Sequence, residues 1–427
     1  MNTLKIEGGY PISGEITPTP NKNSILAIIP ACILTNETIT LTNVPKSASV
    51  RIMLRIYKKL GGEVNYPKKN TIRLNSKNIH SFVLDKKLSK KERASLMFLA
   101  PLLAKFGQAE VDDAMGCKLG NRPVDTLISG LIEMGAETDN SNIYKLSTKG
   151  LKGDKTIWQL EASVTGTENL VLAAVLAKGK TIIYNAACEP HVQDMCNFLN
   201  SIGAKIEGIG TNKLVINGVK KLGGGEWKII PDHIDIGGLI VAAAITNGHL
   251  RIKDAIPNHM QQILKYYEKI NLKYEIEGED IIIPSNQKLR CKTNLKGNMD
   301  KIPAYPWPVG FPVDLIPQVL VLAAKAPGNI RIMQNMYESQ FLFVYELIKL
   351  GANIELGDTT KAITFGPSNF RGNFVIAPSI IQGAHSLILA ALAARGTTTI
   401  ENTQPLKRRY PELIESLQSL GARITIK

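Results

Sequence analysis

Thr165–Ile206, TGTENLVLAAVLAKGKTIIYNAACEPHVQDMCNFLNSIGAKI, decides the fold. It reads as an apolar helix rich in small residues, a turn, a β-branched strand, a loop, a second helix, and a glycine turn into another strand. The same order recurs in Asn21–Val64, Arg93–Thr138, Ile234–Ile276, Val313–Ile354 and Gly383–Ile424, whose starts lie about seventy residues apart. Alanine and leucine at helical spacing let helices approach closely. Glycine or asparagine ends a helix by accepting the left-handed conformation. Apolar helices flanked by strands predict an α/β protein with helices inside and sheets outside, and six copies divide into two domains of three. The expected division puts residues 23–231 in one domain and residues 1–22 plus 232–427 in the other, with two crossovers near Asn21 and Pro231.

The composition narrows the functional classes. A chain of 427 residues is too long for one ordinary core. It has no apolar run of about eighteen residues, and its first residues lack the regions of a secretory signal, so the expectation is a soluble cytoplasmic protein. The five cysteines, Cys32, Cys117, Cys188, Cys196 and Cys291, are scattered without metal-ligand spacing, which argues against a disulfide framework, structural zinc or any metal site. A net charge of +14 attracts anions. The one dense basic run, Asp85–Arg93, reads as a solvated loop or helix start, and aromatic residues are not interleaved with the cations, so nucleic acid and membrane are not expected partners.

Because the repeated positions hold packing residues, chemistry must lie where the copies differ. One such place is the start of the first helix, where the copies carry Lys22, Arg93 and Asp314. A helix N-terminus favours anions, so the two cations read either as phosphate or carboxylate ligands or as exposed residues. Asp314 reads as an N-cap or as a general base. The other place is the loop before the second helix, which carries Cys117 and Arg122 in copy two, Cys188 and Glu189 in copy three, and Lys407, Arg408 and Arg409 in copy six. Cys117 sits in a polar loop beside Lys118, where a thiolate is favoured, although a core cysteine is the ordinary reading.

Asn21–Asn23 (NKN), Arg93–Ser95 (RAS), Gly116–Asp125 (GCKLGNRPVD), Ser163–Leu170 (SVTGTENL), Leu222–Trp227, Pro231–Gly237 (PDHIDIG), Phe311–Asp314 (FPVD) and Arg408–Ala422 together resemble the UDP-N-acetylglucosamine enolpyruvyl transferase family, a relative of the shikimate-pathway enolpyruvyl transferases. The resemblance covers essentially the whole chain. It implies a two-domain inside-out α/β barrel and transfer of the enolpyruvyl group of phosphoenolpyruvate to the sugar 3′-hydroxyl of UDP-N-acetylglucosamine, with release of phosphate and no metal or organic cofactor. It further implies that Lys22, Arg93, Arg122 and Arg408 surround phosphoenolpyruvate, with Lys22 and Arg408 also serving catalysis. Asn23, Arg122, Pro123, Val124, Asp125, Ser163, Val164, Thr165, Asp314 and Met336 match positions that hold the UDP-sugar. Cys117 matches the acid that protonates the vinyl carbon and the thiol alkylated by fosfomycin, and Asp314 the group that takes the hydroxyl proton.

The sequence departs from that pattern in copies three, five and six. Cys188 stands where arginine precedes Glu-Pro, Gln340 replaces an arginine, Ile380–Gln382 replaces an Asp-x-Arg segment, and the proline-rich Tyr305–Asp314 stretch is longer. Two alternatives follow, a divergent enolpyruvyl transferase acting on another nucleotide and a non-catalytic UDP-sugar-binding protein.

Overall fold

A computed structural model describes residues 3–112, 124–139 and 143–427. The described residues divide into two compact units, one combining 20–112, 124–139 and 143–230, called here the Pro20–Ile230 unit, and the other combining 3–19 and 231–427. The divisions thus fall at Thr19/Pro20 and Ile230/Pro231, where the sequence suggested 22/23 and 231/232. Lys22 belongs with the helix it opens, because buried Asn21 caps that helix.

Six helices, one per copy, form the cores. We label them α1 (Lys22–Ala31), α2 (Leu99–Phe106), α3 (Val164–Ala174), α4 (His233–Ile245), α5 (Ile316–Lys325) and α6 (Ile381–Leu392). All residues of α4 and α6 are buried, as are all of α5 except Lys325. Such helices are scaffold with no solvated face.

Among the described residues each unit carries three sheets. In the Pro20–Ile230 unit their strand orders are 225–228/39–42/71–75/63–68, 108–112/143–147/137–138 and 206–207/213–217/180–184/155–158. In the other unit they are 374–376/397–401/4–7/423–426, 275–277/280–283/250–252/14–16 and 300–304/328–334/361–366/354–358. Leu4–Glu7 lies between two antiparallel neighbours near the end of the chain, with Leu4 opposite both Ile400 and Ile426. Five of the six sheets contain a parallel pair. In three cases the pair is bridged by an inner helix, as where α3 links Lys155–Trp158 to Lys180–Tyr184.

The second helix of every copy ends at a left-handed residue: Gly61, Gly135, Gly203, Asn271, Gly351 and Gly421 have φ of +105°, +95°, +107°, +59°, +92° and +101°. Another repeated feature follows the first strand. Asn43, Asn185 and Asn402 are left-handed, with φ of +55°, +55° and +59°. Each donates its side-chain amide to the carbonyl just beyond the parallel neighbour, at Ile229, Gln159 and Ala377, over 2.8 Å. These bonds tie the segment leading into one helix start to the loop before a second helix, the two places where the copies differ. No helix among the described residues is long and apolar enough to cross a membrane.

Candidate active site

In the Pro20–Ile230 unit, Asn21 accepts from the backbone N–H groups of Asn23 and Ser24 at 3.0 and 3.1 Å. This cap places Lys22 and Asn23, both half-buried, in the first turn of α1. The Asn23 side-chain amide makes no hydrogen bond to the described residues. Beneath the turn, Ser24 Oγ donates to Asp194 Oδ2, and Trp227 Nε1 donates to Asp194 Oδ1 at 3.1 Å. Burial pushes the Asp194 carboxyl up to about 6, against the pull of these hydrogen bonds.

Arg93 opens a 3₁₀ turn, Arg93–Phe98, ahead of α2, where the sequence suggested a continuous helix start. Val124 precedes the helix Asp125–Glu133, and exposed Asp125 lies in its first turn, where the helix dipole favours a carboxylate. Ser163 is the N-cap of α3 and accepts from Gly166 N at 3.2 Å, so local helix capping uses this hydroxyl. Val164 and Thr165 follow it, half-buried. Cys117, Arg122 and Pro123 lie outside the described residues.

The four cysteines among the described residues are buried, and burial raises the pKa of each thiol. Cys188 is buried, and burial, then the charge of Glu189, pushes its thiol up to about 12. Burial also pushes Cys291 up to about 11 and raises the thiols of Cys32 and Cys196.

In the second unit, Asp314 lies in the 3₁₀ turn Val313–Leu315 ahead of α5. It is not an N-cap, because the capping positions of the turn and of α5 are Pro312 and Leu315, without side-chain caps. Its Oδ2 instead accepts from Arg409 Nη1 at 3.0 Å, and its Oδ1 has no partner among the described residues. Arg409 is 7% exposed, and two further donors reach Asp232: Nε to Oδ2 at 3.0 Å and Nη2 to Oδ1 at 2.9 Å. Asp232 is also the N-cap of α4, accepting from Ile234 N at 3.0 Å. Burial alone would raise its carboxyl, but the charge and hydrogen bonds of Arg409 outweigh that and hold it below its ordinary value.

Gln340, standing where the resemblance places an arginine, is buried and donates to the Val313 carbonyl at 3.0 Å, beside Asp314. Gln382, in the Ile380–Gln382 segment, accepts from Gln318 at 2.7 Å and bonds to Tyr410 at 3.3 Å. Both are absorbed into the packing of this unit. Arg408 is half-buried at the end of the 3₁₀ turn Gln404–Arg408, and Met336 is half-buried in the turn after Gly328–Gln334, its N–H bonded to Gln334 Oε1 at 3.0 Å. Sequence reasoning named Arg409 without a role and missed Asp232. The signal lay in the KRR run, where three adjacent cations differ only in which one turns inward. It also missed Glu168, a buried acid on α3 raised well above the ordinary carboxyl range by burial and then by the charge of Glu189.

Residues 6–417 match the model of the EPSP synthase (3-phosphoshikimate 1-carboxyvinyltransferase) family. The UDP-N-acetylglucosamine 1-carboxyvinyltransferase of Treponema denticola is 39% identical over 427 residues, all of both chains. That of Bradyrhizobium diazoefficiens is 40% identical over 419 residues, 98% of this chain and 96% of its own. The chain belongs to the carboxyvinyl, or enolpyruvyl, transferase family. Among solved structures, the enolpyruvyl transferase NikO from Streptomyces tendae superposes on it with a TM-score of 0.88 at 22% identity, covering 100% of this chain and 99% of that one. EPSP synthase from Acinetobacter baumannii gives a TM-score of 0.77 at 18% identity over the whole of both chains. As an enolpyruvyl transferase the chain has the two-domain inside-out α/β fold expected from its six copies.

Proposed function

We propose that the chain transfers the enolpyruvyl group of phosphoenolpyruvate to the 3′-hydroxyl of UDP-N-acetylglucosamine with release of phosphate, the first committed step of peptidoglycan synthesis, in the cytoplasm. The observation that carries this reading is the full-length identity of 39–40% with relatives named for that transfer.

The proposed chemistry follows from the residues. Asp314 Oδ1 accepts the proton of the sugar hydroxyl, and the oxygen so activated bonds to C2 of phosphoenolpyruvate. Cys117 delivers a proton to the vinyl carbon, giving a tetrahedral intermediate. Loss of a proton from the new methyl group then restores the double bond as the C2–O bond to phosphate breaks. Lys22, Arg93, Arg122 and Arg408 balance the carboxylate and phosphate charges through these steps. Asn23, Val124, Asp125, Ser163–Thr165 and Met336 bind the UDP-sugar in this reading.

The test is stoichiometric: phosphate released should equal the enolpyruvyl ether of UDP-N-acetylglucosamine formed, identified by NMR. Binding of the UDP-sugar without phosphate release, even in a single turnover, would leave a non-catalytic binder. A second reading, the same transfer onto another nucleotide, draws support from Gln340 and Gln382, which place uncharged side chains where the resemblance expects arginines.

A further inference from the structure

The loss of those two arginines leaves a question about what guanidinium, if any, serves Asp314. We propose that Arg409 is the positioning residue for Asp314, fixing one carboxylate oxygen so that the other faces the acceptor hydroxyl, with Asp232 as its anchor. The inference rests on the reading of Asp314 as the group that takes the hydroxyl proton.

The geometry separates two carboxylates that share one cation. Asp232 is 1% exposed and has both oxygens engaged by the Arg409 fork and the Ile234 N–H. Protonating it would weaken the charge-assisted bonds that hold it. Asp314 gives one oxygen to the same guanidinium, leaves the other without a partner among the described residues, and has a side chain 37% exposed. A buried arginine between two acids thereby makes one a fixed anchor and the other a reactive group. The trio carries a net charge of −1 before proton transfer and is neutral afterwards, and Arg409 remains charged throughout.

The surroundings hold Arg409 in this pose. The Tyr410 ring lies 5.5 Å from its guanidinium carbon, and Tyr410 is bonded to Gln382, itself bonded to Gln318. Gln340 secures the Val313 carbonyl one residue before Asp314. The resemblance-based arginine positions are therefore filled by amides that brace the same corner. The charged fork arrives instead from Arg409, the residue after the Gln404–Arg408 turn. A lysine could neutralise both acids but could not present three donors in one plane.

The experiment is a double-mutant cycle in the full chain, with Arg409→Lys, Arg409→Gln, Asp314→Asn and the double variant Arg409→Gln/Asp314→Asn, run with whichever nucleotide acceptor the wild type turns over. Arg409→Gln should lower kcat about 100-fold, the cost of a misplaced reacting group, with KM for both substrates changed less than threefold. Arg409→Lys should recover part of the loss. In the Asp314→Asn background the same Arg409→Gln change should alter kcat less than threefold, because its route of action is gone. Equal fold-losses in both backgrounds, or a loss expressed in KM alone, would overturn the role of Arg409 while leaving the transfer reaction standing. Normal turnover in Asp314→Asn would instead remove Asp314 from the chemistry. A wild type inactive with UDP-N-acetylglucosamine but active with another nucleotide would overturn only the acceptor assignment.

Discussion

Replacing Asp194 by asparagine should make the Pro20–Ile230 unit more stable at neutral pH and nearly unchanged in mild acid. Burial raises the Asp194 carboxyl to about 6 from an ordinary value of 3.8, so folding favours the protonated form. The sign follows from linkage. A folded-state value above the unfolded one gives stability that is complete below pH 3.8 and lost as pH rises through about 6. At about 1.4 kcal/mol per pH unit the full loss is ~3 kcal/mol, of which about 2 kcal/mol accrues between pH 4 and pH 7.5. Asparagine mimics the protonated acid at every pH, and its amide can still accept from Trp227 Nε1 and pair with Ser24. The assay is urea unfolding followed by tryptophan fluorescence in a Trp307→Phe background, which leaves Trp158 and Trp227, both in the Pro20–Ile230 unit. The advantage of the variant should grow by about 2 kcal/mol from pH 4 to pH 7.5. A pH-independent difference would refute the reasoning, since the carboxyl would then not titrate in this window. Loss of Ser24 and Trp227 anchoring would show instead as a constant destabilisation.

Other predictions concern the site and the repeat. Asp314→Asn should retain substrate binding by calorimetry while lowering kcat about 100-fold; unchanged turnover would exclude it as a base. Cys117→Ser should abolish covalent labelling by fosfomycin in intact-mass spectra, because the four described cysteines are buried with raised thiols; labelling that persists would place the reactive thiol elsewhere. Asn402→Ala should cost about 2 kcal/mol in thermal unfolding, from a left-handed backbone and a lost hydrogen bond to Ala377. A cost below about 0.5 kcal/mol would mean that this tie contributes little.

The architecture was legible because its signals are local and repeated. Small apolar helices, β-branched strands and a left-handed glycine or asparagine recur in every copy, so each copy supports the reading of the others. The left-handed asparagines after the strands were equally present but less visible, since their meaning lies in a bond to a segment distant in sequence. The site was only partly legible. Asp314 was singled out by its place in FPVD, but its pairing with Arg409, 95 residues away, is not a local signal. Lys407 and Arg408 end the 3₁₀ turn Gln404–Arg408 and Arg409 follows it, so helical spacing could not tell which cation turns inward. Ser163 shows the opposite case, a family-matched residue whose hydroxyl already serves as an ordinary helix cap.

The central claim is tested most directly by phosphate release from phosphoenolpyruvate with UDP-N-acetylglucosamine, measured beside UMP, UDP-glucose and shikimate 3-phosphate. The account predicts turnover with UDP-N-acetylglucosamine and background release with the other three. Background release with UDP-N-acetylglucosamine, whether or not another acceptor is used, would contradict it.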